Sequence, residues 1–326
     1  MRSFGKWLGR GLVFIFSVIV AASFLFPRDH VSENITNLGN ALPDDIDSYL
    51  QEAESQNSNI TPGAERRIVW AVEPGRRTPV AVVYLHGFSA TSEEIRPVPD
   101  RVAASLGANL YFARLTGHGQ DGAALAAARA DDWIADLSEA LAIGRRIGDR
   151  TILIATSTGA TLASFAATDA AASEGLAGVV MISPNFGLRS VAGRILDLPL
   201  ARWWGPVVAG AERSFTPQNE SHARWWTTRY PTTALFPMAA LVRAARDLPF
   251  DRAQVPALFL FSPDDRVIDP DAAAEVARAW GGPVQVERRH MAPGDDPYSH
   301  VIAGDILSPG QTAETVQLIL TWARGL

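Results

Sequence analysis

The stretch Thr151-Ile-Leu-Ile-Ala-Thr-Ser-Thr-Gly-Ala-Thr-Leu-Ala163 decides the fold of this chain. Residues 151–156 are apolar or β-branched, which is typical of a buried strand, and the alanine-rich residues 158–168 favour a helix. Ser157 lies between them, with small residues two positions away on each side. A serine at such a turn adopts a strained backbone that only small neighbours permit. The stretch predicts a nucleophilic Ser157, although Ala155 replaces the first glycine of the usual Gly-x-Ser-x-Gly pattern.

Strands and helices alternate along the chain from about residue 64 onward. Continuous apolar runs bounded by turn residues predict strands at 66–72, 79–85, 110–113, 151–156, 178–183, 257–261 and 284–288. Apolar stripes at helical spacing predict helices at 131–146, 158–168, 271–280 and 311–323. This alternation predicts an α/β fold with a mostly parallel central sheet and helices on both faces. Residues 186–249 interrupt it and are too long for an ordinary connection, so we expect a helical cap insertion there.

The order of residues along the chain narrows the choice of a base for Ser157. The chain has six histidines. In a fold of this kind the serine comes first along the chain, the acid next and the histidine last, which excludes the three histidines that precede Ser157. His222 lies in the expected cap, which leaves His290 and His300. We favour His300, because it lies in a loop before the last helix, whereas His290 directly extends a predicted strand.

The acid is expected in Ser262-Pro-Asp-Asp-Arg-Val-Ile268, which follows the predicted strand 257–261. We favour Asp265, because the apolar residues after it can anchor the loop while its carboxylate orients the imidazole. Asp264 is the nearest alternative. Asp269 precedes a proline and is typical of a helix cap.

A hydrolase also needs hydrogen-bond donors for the oxyanion of its transition state. His86-Gly-Phe88 follows the predicted strand 79–85, where such a loop belongs. We therefore expect the amides of Phe88 and Thr158 to form the oxyanion hole. Gly117-His118-Gly119 follows another strand, and we interpret His118 as a structural turn residue.

Five motifs, in this order and spacing, resemble the α/β-hydrolase superfamily: the His86-Gly-Phe88 loop, the Gly117-His-Gly119 turn, the Ser157 turn, the Asp265 loop and His300. Among its branches the chain is most similar to monoacylglycerol lipase-like and serine aminopeptidase-like hydrolases. The resemblance implies an α/β-hydrolase domain over residues 64–326 and a serine mechanism with no cofactor and no metal. We expect cleavage of carboxylic esters, with a peptidase or amidase of small substrates, or a non-catalytic ligand-binding protein, as alternatives.

The cap carries the residues from which we predict a substrate pocket. Trp203, Trp204, Trp225 and Trp226 could line an apolar acyl pocket, which favours lipid-like acyl esters, or they could form the core of the cap. The net charge of -6 argues against a nucleic-acid partner, and the absence of cysteine excludes disulfides, thiolate metal sites and cysteine nucleophiles. The oligomeric state is left open.

The N-terminal residues 1–27 predict a membrane anchor or a signal segment. Arg2, Lys6 and Arg10 precede an apolar run, Gly11 to Phe26, and acidic residues follow it. The run is slightly shorter than the roughly 20 residues of a spanning helix. We favour an anchor with the catalytic domain exported, the alternatives being a secreted protein after signal cleavage, or a buried or interfacial helix. The polar residues 28–63 are predicted to be a linker with one short helix at about 44–54.

Overall fold

The computed structural model describes residues 2–25, 31–32, 35–36, 38, 42–190, 193, 196, 198 and 200–326. Its helices are α1 (Arg2–Leu25), α2 (Ile46–Ser55), α3 (Val98–Leu106), α4 (Gly122–Ala127), α5 (Ala130–Ile147), α6 (Thr158–Thr168), α7 (Ala201–Ala209), α8 (Glu220–Trp225), α9 (Leu235–Arg246), α10 (Pro270–Ala279) and α11 (Pro309–Ala323). Its strands are β1 (Arg67–Val69), β2 (Thr78–Leu85), β3 (Asn109–Phe112), β4 (Gly148–Thr156), β5 (Leu176–Ile182), β6 (Glu212–Ser214), β7 (Arg229–Pro231), β8 (Ala257–Phe261) and β9 (Val284–Arg288).

The central sheet of the described residues has the strand order β1-β3-β2-β4-β5-β8-β9. β1 runs antiparallel to β3, and the other neighbouring strands are parallel. The predicted α/β fold with a mostly parallel sheet is therefore confirmed. Because parallel strands end at the same edge of a sheet, the loops after β2, β4, β5 and β8 meet there.

Both faces of the sheet are buried along its central strands, as their continuous apolar runs predict. In β2, Ala81, Val83 and Leu85 belong to one core cluster, and Val82 and Tyr84 to the other. Successive side chains of a strand point to opposite faces, so one strand serves both clusters. The first cluster includes residues of α5 and α6, and the second includes residues of α3 and α11.

The predicted linker contains a helix, α2, that packs against this domain. Ile46 and Leu50 are buried in the first core cluster. Glu54, at the end of the helix, forms ion pairs with Arg66 and with Arg114. This part of residues 28–63 is therefore held against the sheet domain by both apolar and ionic contacts.

The apolar residues near the N-terminus form α1, which also contains the three basic residues that precede them. Phe26 and Pro27, at the end of the predicted segment, lie outside the described residues. Among the described residues, no helix is long and apolar enough to cross a membrane. The structure thus gives the predicted transmembrane anchor no support.

The insertion between β5 and β8 contains α7, α8 and α9, in line with the predicted cap. It also contains a small antiparallel pair, β6 and β7, which the sequence did not indicate. These strands are only three residues long each, too short to show a period of two. A few residues of the predicted cap, among 191–199, lie outside the described part of the chain.

Candidate active site

Ser157 lies at the turn between β4 and α6, with φ 52° and ψ −113°. A non-glycine residue with positive φ is strained, and surrounding contacts must hold it there. Its amide donates to the Ile182 carbonyl at 2.9 Å, and its carbonyl accepts from the amides of Thr161 and Asn185 at 3.0 and 3.3 Å. The end of the neighbouring strand β5 therefore fixes the turn.

Gly159 allows α6 to begin close to the end of β2. A Cβ at this position would lie 2.3 Å from the Leu85 carbonyl oxygen and 2.7 Å from that of His86. Real Cβ atoms do not approach backbone oxygens so closely, so the second small residue of the motif is required to be glycine.

His300 and Asp265 complete a hydrogen-bonded chain with Ser157. His300 Nε2 lies 3.1 Å from Ser157 Oγ, and His300 Nδ1 lies 2.8 Å from Asp265 Oδ2. The other oxygen of the fully buried Asp265 accepts from the amides of Val267 and Ile268 at 2.8 and 2.9 Å. The loop after β8 thus holds the carboxylate, and the structure brings together the three residues that the sequence analysis favours.

The acidic surroundings of His300 set its protonation. Burial lowers the pKa of an imidazole, but the charge and hydrogen bond of Asp265, together with the charges of Glu94 and Asp296, outweigh it. The pKa of His300 is therefore raised above its ordinary value. This environment favours the protonated, imidazolium form of His300.

Two backbone amides lie where an oxyanion hole is expected. Thr158 is the first residue of α6, and amides of a first helical turn have no partner within the helix. No hydrogen bond among the described residues uses the amide of Phe88, on the loop after β2. Both N–H groups are thus available to a bound oxygen atom.

Comparison with known proteins adds to this geometry. A sequence model described as "Alpha/beta hydrolase family" matches residues 82–302, which include the end of β2, the Ser157 turn, Asp265 and His300. The chain belongs to the alpha/beta hydrolase family. No protein of curated function matches its sequence.

Several solved structures resemble the chain over most of its length. A structure of the metagenome-derived lipolytic enzymes LipS and LipT has a TM-score of 0.66 and 22% identity, covering 82% of this chain and 100% of that chain. Monoacylglycerol lipase of Paleococcus ferrophilus has a TM-score of 0.56 and 15% identity, covering 80% and 98%. A soluble variant of monoglyceride lipase from Saccharomyces cerevisiae has a TM-score of 0.56 and 12% identity, covering 80% and 90%.

The alternatives to the favoured site residues lie elsewhere in this hydrolase. His290 and Asp264 are both exposed and pair with each other at 3.2 Å. Asp269 caps α10, as its position before a proline indicates, and accepts from the Asp271 amide at 3.1 Å. Neither of these two contacts involves Ser157 or His300.

His118 is a buried turn residue. Its ring lies 5.0 Å from that of His86 and 5.5 Å from that of Trp133, measured between centroids. Burial lowers the pKa of both histidines, that of His86 to about 4, so both rings are neutral near neutral pH. The Phe88 ring packs on His118 at 5.8 Å, so this pair supports the loop after β2.

The four predicted pocket tryptophans have different surroundings. Trp203 is 78% exposed on α7, and Trp204, on the same helix, is partly buried. Trp225 stacks under the Arg224 guanidinium. Its ring lies 3.0 Å from the position that a Cβ would occupy at Gly63, so it packs closely against that glycine. Trp226 is buried, with its ring 4.7 Å from that of His222.

Two carboxylates at the site were not predicted from the sequence. Asp296 accepts from the amides of His300 and Val301 at 3.0 and 2.9 Å and so fixes the histidine loop. Glu94 accepts from the Gly87 amide beside Ser157 at 2.7 Å. Asp296 lies four residues before the favoured histidine, but nothing in the local pattern distinguishes either residue from an ordinary surface acid.

Proposed function

We propose that this alpha/beta hydrolase is a serine hydrolase that cleaves carboxylic esters through a covalent acyl-enzyme. The proposal rests on one observation, the chain of hydrogen bonds from Ser157 through His300 to Asp265, with lengths of 3.1 and 2.8 Å. The strained turn of Ser157 and the free amides of Phe88 and Thr158 supply the other groups that acyl transfer requires.

In the proposed reaction, His300 Nε2 takes the Ser157 proton as Oγ attacks the ester carbonyl. The amides of Phe88 and Thr158 stabilise the oxyanion, and Asp265 stabilises the imidazolium. His300 then protonates the leaving alcohol, which gives the acyl-enzyme. In the second half, His300 activates water, which releases the acid and restores Ser157.

For the substrate, we propose lipid-like acyl esters. The names of the structural neighbours describe lipolytic enzymes and monoacylglycerol lipases, which supports this class. The cap adds a second observation. Trp203 and Val207, four residues apart and so on one face of α7, are 78% and 85% exposed, and Val208 beside them is 73% exposed. An apolar surface of this kind suits contact with acyl chains or aggregated lipid.

A fluorophosphonate probe tests the proposed mechanism, because it reacts covalently with activated serines. We expect labelling of the wild type and of Ser214→Ala, a control at an exposed serine of β6, but not of Ser157→Ala. Labelling of Ser157→Ala, or an unreactive wild type, would refute the mechanism.

The substrate class is tested separately with nitrophenyl esters of increasing chain length and with aminoacyl nitroanilides. We expect higher kcat/KM for decanoate than for acetate, and little turnover of the amides. Preference for acetate would contradict the lipid-like class, and faster cleavage of amides would favour a peptidase or amidase.

A further inference from the structure

Glu94 is a buried carboxylate beside the oxyanion loop, which we define as residues 86–88. Its exposure is 2%, and glutamate is rarely buried unless it is paired. Among the described residues, no ion pair involves Glu94, and its Oε2 instead accepts from the Gly87 amide at 2.7 Å and the Tyr84 hydroxyl at 3.0 Å. Burying a carboxylate without a cationic partner costs free energy of desolvation, so we expect Glu94 to have a role that offsets this cost.

The Glu94 carboxylate contacts the oxyanion loop and, through Tyr84, the turn that carries Ser157. Tyr84 Oη lies 3.2 Å from the hydroxyl of Thr156, the residue before Ser157. The position that a Cβ of Gly87 would occupy lies 2.7 Å from Glu94 Oε1 and 3.2 Å from Ser157 Cβ. Glu94 and Ser157 therefore both border the space beside Gly87 that the side chain of any other residue would fill. Glu94 thus packs against the oxyanion loop on the side of the nucleophile.

Glu94 and His300 also influence each other through charge. Burial raises the pKa of Glu94 above its ordinary value, although the Gly87 amide, the positive charge of His300 and the Tyr84 hydroxyl act in the opposite direction. The negative charge of Glu94 is in turn one of the causes that raise the pKa of His300, after burial and Asp265.

The other ionisable groups around this pair have defined partners. Asp265 and Asp296 hold the His300 ring and backbone, and the Arg189 guanidinium donates to the Asp265 carbonyl at 2.6 Å. Glu93, next to Glu94, turns away and pairs with Arg67 and Arg96 at 3.1 and 2.7 Å. Glu94 thus lies on a different loop from Asp265 and Asp296, and its charge acts on His300 together with theirs.

We propose that Glu94 is a positioning residue for the proposed acyl transfer, which anchors the oxyanion loop through the Gly87 amide and adds a negative charge that stabilises protonated His300. The inference rests on the proposed function, since it requires His300 to act as the base. Gly87 immediately precedes Phe88. The hydrogen bond from the Gly87 N–H to Glu94 therefore also fixes the orientation of the Phe88 amide.

Two substitutions separate these two effects. In Glu94→Gln the amide oxygen can still accept from Gly87, but the charge is lost. We expect the acidic limb of the pH–rate profile to move to lower pH by about half a unit or more, because the protonated form of His300 loses a favourable charge. In Glu94→Asp the charge remains, but the side chain is shorter and its hold on Gly87 is lost. We expect an unmoved limb and a maximal rate about tenfold lower.

The rate of fluorophosphonate labelling as a function of pH is the measurement, since it needs no knowledge of the substrate. Glu93→Gln is the matched control, because it removes the neighbouring carboxylate and should leave the limb in place. A limb that does not move in Glu94→Gln, or moves equally in Glu93→Gln, overturns the inference. Should Glu94→Gln fail to fold, Glu94→Asp decides alone, and a wild-type maximal rate in it overturns the inference.

The two proposals fail in different ways. A wild-type protein that does not react with the probe removes the proposed function, and the role of Glu94 with it. A wild type that reacts, while Glu94→Gln keeps the same profile and rate, leaves the proposed function standing and removes the role of Glu94 alone.

Discussion

Replacement of Asp265 by asparagine tests the hydrogen-bonded chain at its most buried point. Asp265 Oδ1 accepts two backbone amides, and Oδ2 accepts from His300 Nδ1. In Asp265→Asn the side-chain oxygen must remain with the two amides, because an NH₂ group there would face two donors. The NH₂ group then faces His300 Nδ1, which must act as the acceptor. The ring proton moves to Nε2, and the nitrogen near Ser157 can no longer accept a proton.

The size of the effect follows from this change of tautomer and from the lost charge. An aspartate-to-asparagine exchange in a serine triad lowers kcat by about 10⁴-fold, or about 5 kcal/mol in the activation barrier. We expect a loss of this order here, because Asp265 is fully buried and water does not screen its charge. The fold should survive, since the two backbone amides keep an acceptor.

The assay is kcat for a nitrophenyl ester, with circular dichroism and thermal unfolding as checks on folding. Asp264→Asn is the matched control: it alters the adjacent, exposed carboxylate that pairs with His290, and it should leave kcat nearly unchanged. If folded Asp265→Asn retained more than about one tenth of wild-type kcat, or if Asp264→Asn lost activity instead, the assignment of the acid would be wrong.

Three other expectations follow from the same structure. Ser157→Gly should have a free energy of unfolding about 1 kcal/mol higher than that of Ser157→Ala, and so a higher melting temperature, because glycine adopts positive φ without a steric cost; equal melting temperatures would argue against strain. The kcat/KM for an ester should fall at low pH with a midpoint above the ordinary histidine value of about 6.5, because the pKa of His300 is raised; a midpoint below that value would contradict the acidic surroundings. Glu54→Gln should lower the free energy of unfolding in urea by about 3 kcal/mol, because buried Arg114 loses its carboxylate; an unchanged value would show that this ion pair does not hold α2.

The central strands of the sheet could be predicted from the sequence because they are buried on both faces. β8 and α6 coincide with the predicted ranges, and β2 begins one residue before its predicted start. An uninterrupted apolar run of this kind is recognisable from a few consecutive residues, without knowledge of distant contacts. The site residues could likewise be assigned from the order in which their motifs follow the strands along the chain. Since parallel strands end at the same edge of the sheet, residues far apart in sequence could be placed there together.

The features that depend on tertiary contacts had no such signal. In the sequence, Glu94 and Asp296 resemble ordinary surface acids, because a short stretch of sequence does not show that distant loops will bury a residue. Residue type alone also fails to distinguish a pocket from a surface, as the exposed Trp203 and the buried Trp226 illustrate. The polar composition of α2 suggested a linker, because its two core residues and one buried carboxylate are few among charged neighbours.

The position of α2 determines where this domain can be joined to another protein. Its Glu54 pairs with Arg114, and Arg114 also donates to the carbonyl of His118, whose ring packs on Phe88. A fusion junction placed at residue 64, where the predicted hydrolase domain begins, would leave the Arg114 guanidinium, which is 3% exposed, without its carboxylate. A domain that is exchanged or fused to a new partner must therefore include α2, and the junction belongs before its N-cap residue Asp45.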